Sequence, residues 1–406
     1  MHFLPTSERE LLEALTSGTL QESHFLDFKE TLPAPPAGNK SIAKDLASFS
    51  IDGGVLVIGV AEGDNGFLLN PIDSTGMSER LEQIAFTSVE PPIVISTQFI
   101  PSSSNPGLGY LVVNIPASDH APHMVDNRYM ARNDKTQRSL THAEVMRFHE
   151  NSLSRKSDQD RQIRRQIARD PVPTDLREYP HLHLTATPRL TSKPLLLETL
   201  RHSDRSSILR AWLTESGSRV PETPTQSRHS FVSLVSSEAL RHDGIALYGG
   251  NMDKSRAIGD ANLAEPERIL EIEFSQEGQL RFFNGQAGFN LTISGGVSNP
   301  GLAPQLLIEQ AREFIELVYI VARDLRFGGR WDFSVAITGI GGITVHRGNE
   351  LWGGRFTYEK NAEDYIAHAS GDLNEIENTP GTVLETLLGR FARSLDMEQH
   401  FQAYFD

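Results

Sequence analysis

Three carboxylates that are remote along the chain, Glu22, Asp27 and Glu62, fall where two short strands and a glycine-rich turn would meet, and Lys29 follows Asp27 by two residues. Converging carboxylates are hard oxygen ligands for Mg or Mn, and such an ion activates water and offsets charge on a phosphate during in-line attack. Lys29 would then steady the transition state or hold a neighbouring phosphate. The opposing reading makes the three acids separate surface groups, with Asp27 and Lys29 a solvated pair of little energetic weight. Parity adds a condition. Glu22 and Asp27 are five residues apart and cannot share a face of one straight strand, so the chain must bend near Ser23-His24 for the set to form. Asp45 and Asp64 lie close in sequence to the same elements. They read as a helix-surface acid and a turn residue, either able to substitute as a ligand.

The elements that would position this set are written in the pattern around it. Residues 26–29 alternate apolar and charged, which places Leu26 and Phe28 on a core and gives Asp27 and Lys29 a polar working face. Residues 31–39 hold Pro33, Pro35, Pro36 and Gly38 and read as a loop. Ile42, Leu46 and Phe49 then recur at helical spacing, and Asp52-Gly53-Gly54 supplies a left-handed stop. Val55 to Ile58 is a continuous aliphatic run, as expected of a strand buried on both faces, and Glu62 emerges at its rim.

Glu22-Ser-x-x-x-Asp27-Phe-Lys29, the Asp45-Leu-Ala-Ser-Phe49 helix and Gly53-Gly-x-Leu-x-Ile-Gly-Val60 together resemble the Schlafen-type AlbA-like (AlbA_2) domain of vertebrate Schlafens and many prokaryotic proteins. Tyr110 to Pro116 resembles its next strand. Tyr129-Met-Ala-Arg132-Asn133, followed by Leu140-Thr-His-Ala-Glu144, resembles its Tyr-x-x-Arg-x-Gly segment and closing helix. The resemblance covers about the first 150 residues. It implies a mixed sheet with flanking helices and, in nuclease-active members, three carboxylates that bind a divalent metal and cleave tRNA or rRNA. By motif position those fall at Glu22, Asp27 and Glu62. Asp27 replaces the usual Glu, Glu62 the usual Asp, and Ser50-Ile51-Asp52 an Asn-Thr-x sequence, while all three carboxyl positions stay acidic.

Composition bounds the rest. The chain has 406 residues, enough for two cores, and carries 38 Lys and Arg against 53 Asp and Glu, so a uniformly basic nucleic-acid coat is excluded and any contact with RNA or DNA must be local. Cysteine is absent, which excludes disulfides, thiolate zinc sites and a cysteine nucleophile. Neither a signal segment nor a membrane-length apolar run is present, so the expectation is a soluble cytoplasmic protein with no membrane partner. No Gly-Lys-Ser/Thr phosphate loop exists, which argues against an ATPase, and capping and close packing account for Gly53, Gly54 and Gly59.

Further along, Ser7 to Glu10 and Thr141 to Glu144 are capping boxes, a helix follows Ser78, and residues 93–95 and 110–115 read as strands. Arg132, Lys135 and Arg138 either grip phosphate or form a basic turn paired with Asp126 and Asp134. Residues 155–169 are the most basic window, including Arg164 and Arg165, and read as a phosphate contact or as a solvated linker helix. Lys44 joins these as a nucleic-acid-binding candidate. Asp119-His120-x-x-His123 has ligand-like spacing in a proline-containing loop, and His181 and His183 fall on one face of a strand as structural or exposed residues.

These signals divide the chain into an α/β domain over residues 1–150, a basic linker helix over 151–179 and a separate α+β domain over 180–406. The last contains a hairpin near 270–282, a long helix over 303–325, a strand over 331–337 and a closing helix over 383–405. The leading expectation is a metal-dependent endoribonuclease acting on tRNA or other structured RNA, in toxin or phage-defence biology, with RNA preferred over DNA. The second half would choose substrate, sense a trigger or bind a protein partner. The alternative is a non-catalytic nucleic-acid-binding or regulatory module. Vertebrate Schlafen cores join two such lobes and this chain shows one, so a homodimer, or the second half standing in, is expected.

Overall fold

A computed structural model describes residues 4–16, 22–63, 66–118, 120–133, 136–189, 194–222, 230–258, 267–292, 298–345 and 356–405. The chain divides into two compact units, residues 1–155 with 326–330, and residues 156–325 with 331–406.

Strand alternation decides the architecture of the first unit. Its elements run α1 (Glu8–Thr16), β1 (Leu26–Lys29), α2 (Ala37–Phe49), β2 (Gly54–Ile58), β3 (Val60–Gly63), β4 (Gly66–Leu69), α3 (Met77–Thr87), β5 (Ser96–Pro101), β6 (Gly109–Ile115), β7 (Met124–Val125), β8 (Arg128–Arg132) and β9 (Gln137–Ser139), and helix α4 (His142–Ala168) follows. The main sheet has the order β1-β2-β6-β5. β1 pairs with β2 in parallel and the other two pairings are antiparallel, so the sheet is mixed. Every residue of β2 is buried, because Leu56 and Ile58 pack with Ile42, Leu46 and Phe49 on one face while Val55 and Val57 pack with Leu11, Leu26 and Phe28 on the other. The continuous aliphatic run is thus a strand covered on both sides.

α2 begins at Ala37, inside the stretch that its prolines mark as loop, and stops where Gly53 adopts φ 79° and donates its N–H to Phe49 O at 2.7 Å. A Cβ on Gly54 would lie 2.1 Å from the Phe49 ring, so the second glycine lets the helix end pack against β2. The strand expected at residues 93–95 sits instead at Ser96–Pro101, the stretch that lies in register with β6. Ile93 and Ile95 still point into the core, as an extended lead-in. The capping box at Thr141 is formed reciprocally, Glu144 N–H donating to Thr141 Oγ1 at 3.4 Å and Thr141 N–H to Glu144 Oε2 at 2.8 Å. The closing helix and the basic window, separate in the sequence pattern, are one continuous helix, α4.

The second unit is built on a seven-stranded sheet in the order Ser237–Arg241, Gly244–Gly250, Ile269–Ser275, Leu280–Asn284, His181–Pro188, Trp331–Thr338, Tyr365–Gly371, with every pairing antiparallel. The hairpin expected near 270–282 is present, turning at Gly278 with φ 101°. Helix Pro304–Asp324 buries its Leu307, Phe314 and Val318 stripe and also Glu309, Arg312, Glu313 and Glu316 on other faces, so it is enclosed rather than laid on a surface. The closing helix is interrupted: Pro380–Ser394 ends before Asp396, at φ 55°, and two short turns follow, Glu398–Phe401 and Gln402–Phe405. Among the described residues no helix is long and apolar enough to cross a membrane.

Candidate functional site

Asp27 and Leu56 are register partners on the parallel pair β1 and β2, so the Asp27 side chain leaves the sheet on the face that α2 covers. The polar face expected on β1 is therefore closed over by protein. Asp27 is 6 % exposed. Its Oδ1 accepts from Arg132 Nη2 at 2.7 Å and its Oδ2 from Lys29 Nζ at 2.8 Å. Lys29 Nζ also lies 3.3 Å from Asp45 Oδ2, and Gln137 donates to Asp45 Oδ1. Two carboxylates thus share one ammonium, and a guanidinium closes the group from the other side.

Each member of this group is fixed from behind. The Arg132 side chain is 1 % exposed, stacks on the Phe49 ring at 4.5 Å and donates from Nε to Ser23 O at 3.3 Å. It grips Asp27 and the chain ahead of β1, which corrects the reading of Arg132 as a phosphate ligand. Asp45 is 3 % exposed, correcting its reading as a helix-surface acid. It occupies the 42-45-46-49 stripe of α2, three residues after Ile42 and four before Phe49, so helical spacing alone turns it inward. Burial, with Asp27 nearby, raises the Asp45 pKa above the ordinary aspartate range despite Lys29. Burial would lower the Lys29 pKa, but the charges of Asp45 and Asp27 outweigh it and raise it, so the ammonium stays charged.

The other two expected carboxylates do not complete a ligand set with Asp27. Glu22 Oε1 meets the Phe28 N–H at 3.5 Å, and β1 is an edge strand, so the acid covers a backbone edge. Ser23 pairs back onto Leu26, which is the bend that parity requires. Glu62 is exposed on β3 and pairs across the hairpin with Phe67, whose ring packs 4.6 Å from Phe28. Cross-strand partners share a face, so Glu62 belongs to the side carrying Phe28, opposite to Asp27. Among the described residues, no three His, Asp or Glu ligand atoms of this unit lie within 4.8 Å of one another. The donor set does not fit a divalent ion here: both Asp27 oxygens are taken by cations, and two buried carboxylates are already balanced by the buried Arg132 and the partly buried Lys29.

The cations around α2 range from partly buried, at Lys44 and Arg80, to exposed, at Lys40 and Arg128. Lys40 and Lys44 lie one turn apart on α2. Lys40 reaches Asp126 at 3.4 Å in the turn between β7 and β8, next to the exposed Arg128. Arg80 joins the same end of α2 through Asn39 at 2.7 Å. Arg138 is engaged by Glu144 at 2.7 Å and Arg164 by Asp160 at 2.7 Å, while Arg165 is exposed on α4. Lys135, Asp64, Asp119 and Asp134 lie outside the described residues. His123 is buried and bonds Pro91 O at 2.6 Å and Ser118 Oγ at 2.7 Å, so both ring nitrogens are used and the loop does not present it as a ligand.

In the second unit, His181 and His183 do share a strand face, but both are buried, with Asp170, in the one group of three metal-type ligands found among the described residues. The strand sits between two others, so its polar face is covered rather than wet. Sequence spacing gave the shared face; the position of the strand within the sheet was needed for the rest.

Residues 22–141 match the family described as Schlafen, AlbA_2, and the N-terminal part of the chain carries that domain. No curated protein matches the chain. The solution NMR structure of the N-terminal domain of a RecG-related protein from Nitrosomonas europaea is similar at 19 % identity over 34 % of this chain and 94 % of that one, with a TM-score of 0.26. The crystal structure of the DIP2311 protein from Corynebacterium diphtheriae is similar at 16 % identity with a TM-score of 0.23, covering 52 % of this chain and 35 % of that one.

Proposed function

We propose that the Schlafen AlbA_2 domain of this chain binds the phosphate backbone of nucleic acid without cleaving it, as the recognition part of a regulatory protein. The observation that carries this reading is the engagement of both Asp27 oxygens by Arg132 and Lys29, which occupies the central acid of the three that the family resemblance assigns to an ion. Those residues brace the sheet against α2 and β8. The binding surface is the adjoining patch of Lys40, Lys44, Arg80 and Arg128, local as an acidic chain demands. The Lys40–Asp126 pair is exposed and weak, so a phosphate can replace the carboxylate at small cost.

RNA is the proposed backbone in preference to DNA, supported by the resemblance to Schlafens that act on tRNA and rRNA. A homodimer would present two such patches to one strand, and the second unit offers the surface for a protein partner. A second reading, a metal-dependent endoribonuclease acting on structured RNA, draws on the sharing of Lys29 Nζ by Asp27 and Asp45 at 2.8 and 3.3 Å, two acids already gathered on one positive charge.

Fluorescence anisotropy with labelled tRNA, single-stranded RNA and duplex DNA in chelator tests the binding reading. Affinity that persists without metal, falls steeply with salt and is lost in Lys40→Glu/Lys44→Glu supports it. Affinity that vanishes in chelator or is indifferent to that double substitution contradicts it. Light scattering on the same samples reports whether one or two chains bind.

A further inference from the structure

The second unit holds a buried donor set that the nucleic-acid reading does not use. His181 and His183 are alternate residues of a strand interior to the seven-stranded sheet, and their side chains are 1 % and 0 % exposed. Asp170, just past the end of α4, turns Oδ2 toward both: it lies 2.7 Å from His181 Nδ1 and 3.8 Å from His183 Nε2. One ligand atom from each residue lies within 4.8 Å of the other two.

His183 is the unexplained member. Neither of its ring nitrogens has a hydrogen-bond partner although the side chain is wholly enclosed, with the Phe283 ring 5.1 Å away. A neutral imidazole offers one donor and one acceptor, and leaving both unmatched in an enclosed position is destabilising. His181, by contrast, is held as a metal-binding imidazole usually is. Its far nitrogen, Nε2, meets Glu267 Oε2 at 2.8 Å, and Glu267 is itself fixed by the N–H groups of Glu178 at 2.5 Å and Tyr179 at 3.1 Å.

We propose that Asp170, His181 and His183 form a binding site for one zinc-class divalent cation, with Glu267 holding His181 in its ligating orientation. Tetrahedral zinc with nitrogen and oxygen donors near 2.0 Å sets ligand atoms roughly 3.3 Å apart, and the observed separations of 2.7 and 3.8 Å bracket that spacing, so small side-chain shifts suffice. The donors are two imidazoles and a carboxylate with no sulfur in the chain, which suits zinc or cobalt better than the hard ions Mg and Ca. Binding exchanges the proton between His181 Nδ1 and Asp170 Oδ2 for the metal and releases it to solvent. Positive neighbours are present, since Arg177 lies 3.5 Å from Asp170 Oδ2 and the charge of Arg256 is felt at His183. Arg256 is held by Glu271 at 2.6 Å, and Glu267 supplies a further negative charge. Three protein ligands leave one coordination position for water. The site is sealed, so the ion would tie the end of α4 to the sheet.

The test uses the full chain without an affinity tag, loaded with zinc or cobalt and dialysed. The expected result is one retained equivalent per chain, a visible d–d absorption in the cobalt form, and imidazole scattering around zinc in X-ray absorption. His183→Gln and Asp170→Asn should each lose the equivalent, and Glu62→Gln should keep it. A wild-type chain that retains no stoichiometric metal overturns the proposal, as does retention in folded His183→Gln. If the substituted chains fail to fold, the wild-type protein still decides: zinc without imidazole scattering, or a melting temperature unmoved by chelation, counts against the site.

Discussion

Two buried charged clusters, one in each unit, invert what their residue types suggest. Asp27, Asp45, Lys29 and Arg132 are rich in carboxylate, the hard-ion ligand, yet each acid is matched by a cation seated beside it. Asp170, His181 and His183 come from residues that look ordinary along the sequence, yet one imidazole has no hydrogen-bond partner at either nitrogen. Ligand type is therefore a poorer guide to a metal site than whether the donors are left with something to bind. A carboxylate already paired with a buried guanidinium gains little from an ion, whereas an enclosed unmatched nitrogen gains a great deal.

The comparison breaks most sharply at Asp27. Asp27→Asn strands the Arg132 guanidinium in an enclosed position, and the expected cost is about 3–5 kcal/mol in denaturant unfolding. A cost under about 1 kcal/mol would mean that Arg132 is free to serve another partner.

Next in size is nucleic-acid affinity. Lys40→Glu with Lys44→Glu should weaken binding about tenfold or more and flatten the plot of log affinity against log salt by roughly 1–2 units, while leaving the melting temperature unchanged.

Asp45 sharpens the contrast by sign. Its folded pKa lies above the unfolded value of 3.8, so the folded state holds the proton more tightly. Stability from this residue is present below the unfolded pKa and lost as pH rises through the folded one. Asp45→Asn keeps the shape and a bond for Gln137, so its unfolding free energy at neutral pH should lie within about 1 kcal/mol of wild type. The wild type's loss of stability over that window should disappear in the variant, as denaturant midpoints across pH would show.

The smallest effect is at His24, whose hydrogen bond to Asp52 at 2.6 Å raises its pKa above 6.5. The pair contributes fully below the unfolded pKa and fades as pH rises through the folded one. Asp52→Asn should lower the His24 pKa in an NMR titration and cost under about 1 kcal/mol, since both side chains are partly exposed.

How much could be read in advance follows the same divide. Local patterns carried the β1 alternation, the buried run of β2, the Gly53 stop and the Thr141 capping box, because each rests on neighbours within a few residues. The inward turn of Asp45 was also legible, in its place on the 42-45-46-49 stripe, although its charge argued for the surface. What local pattern does not carry is partnership across the chain. Arg132 meets Asp27 over more than a hundred residues, and Glu62 departs to the far face because a hairpin reverses there, which no spacing rule encodes. His181 and His183 share a face by alternation, but their enclosure depends on strands and an acid brought from elsewhere.

The measurement that bears most directly on the proposed role is incubation of the full chain with tRNA and single-stranded RNA in Mn and then in chelator, with cleavage and binding read from the same samples. The expected result is binding in both conditions and intact RNA in both. Cleavage that requires Mn and disappears in Asp27→Ala would contradict it, and would show that Lys29 and Arg132 yield Asp27 to an ion when substrate arrives.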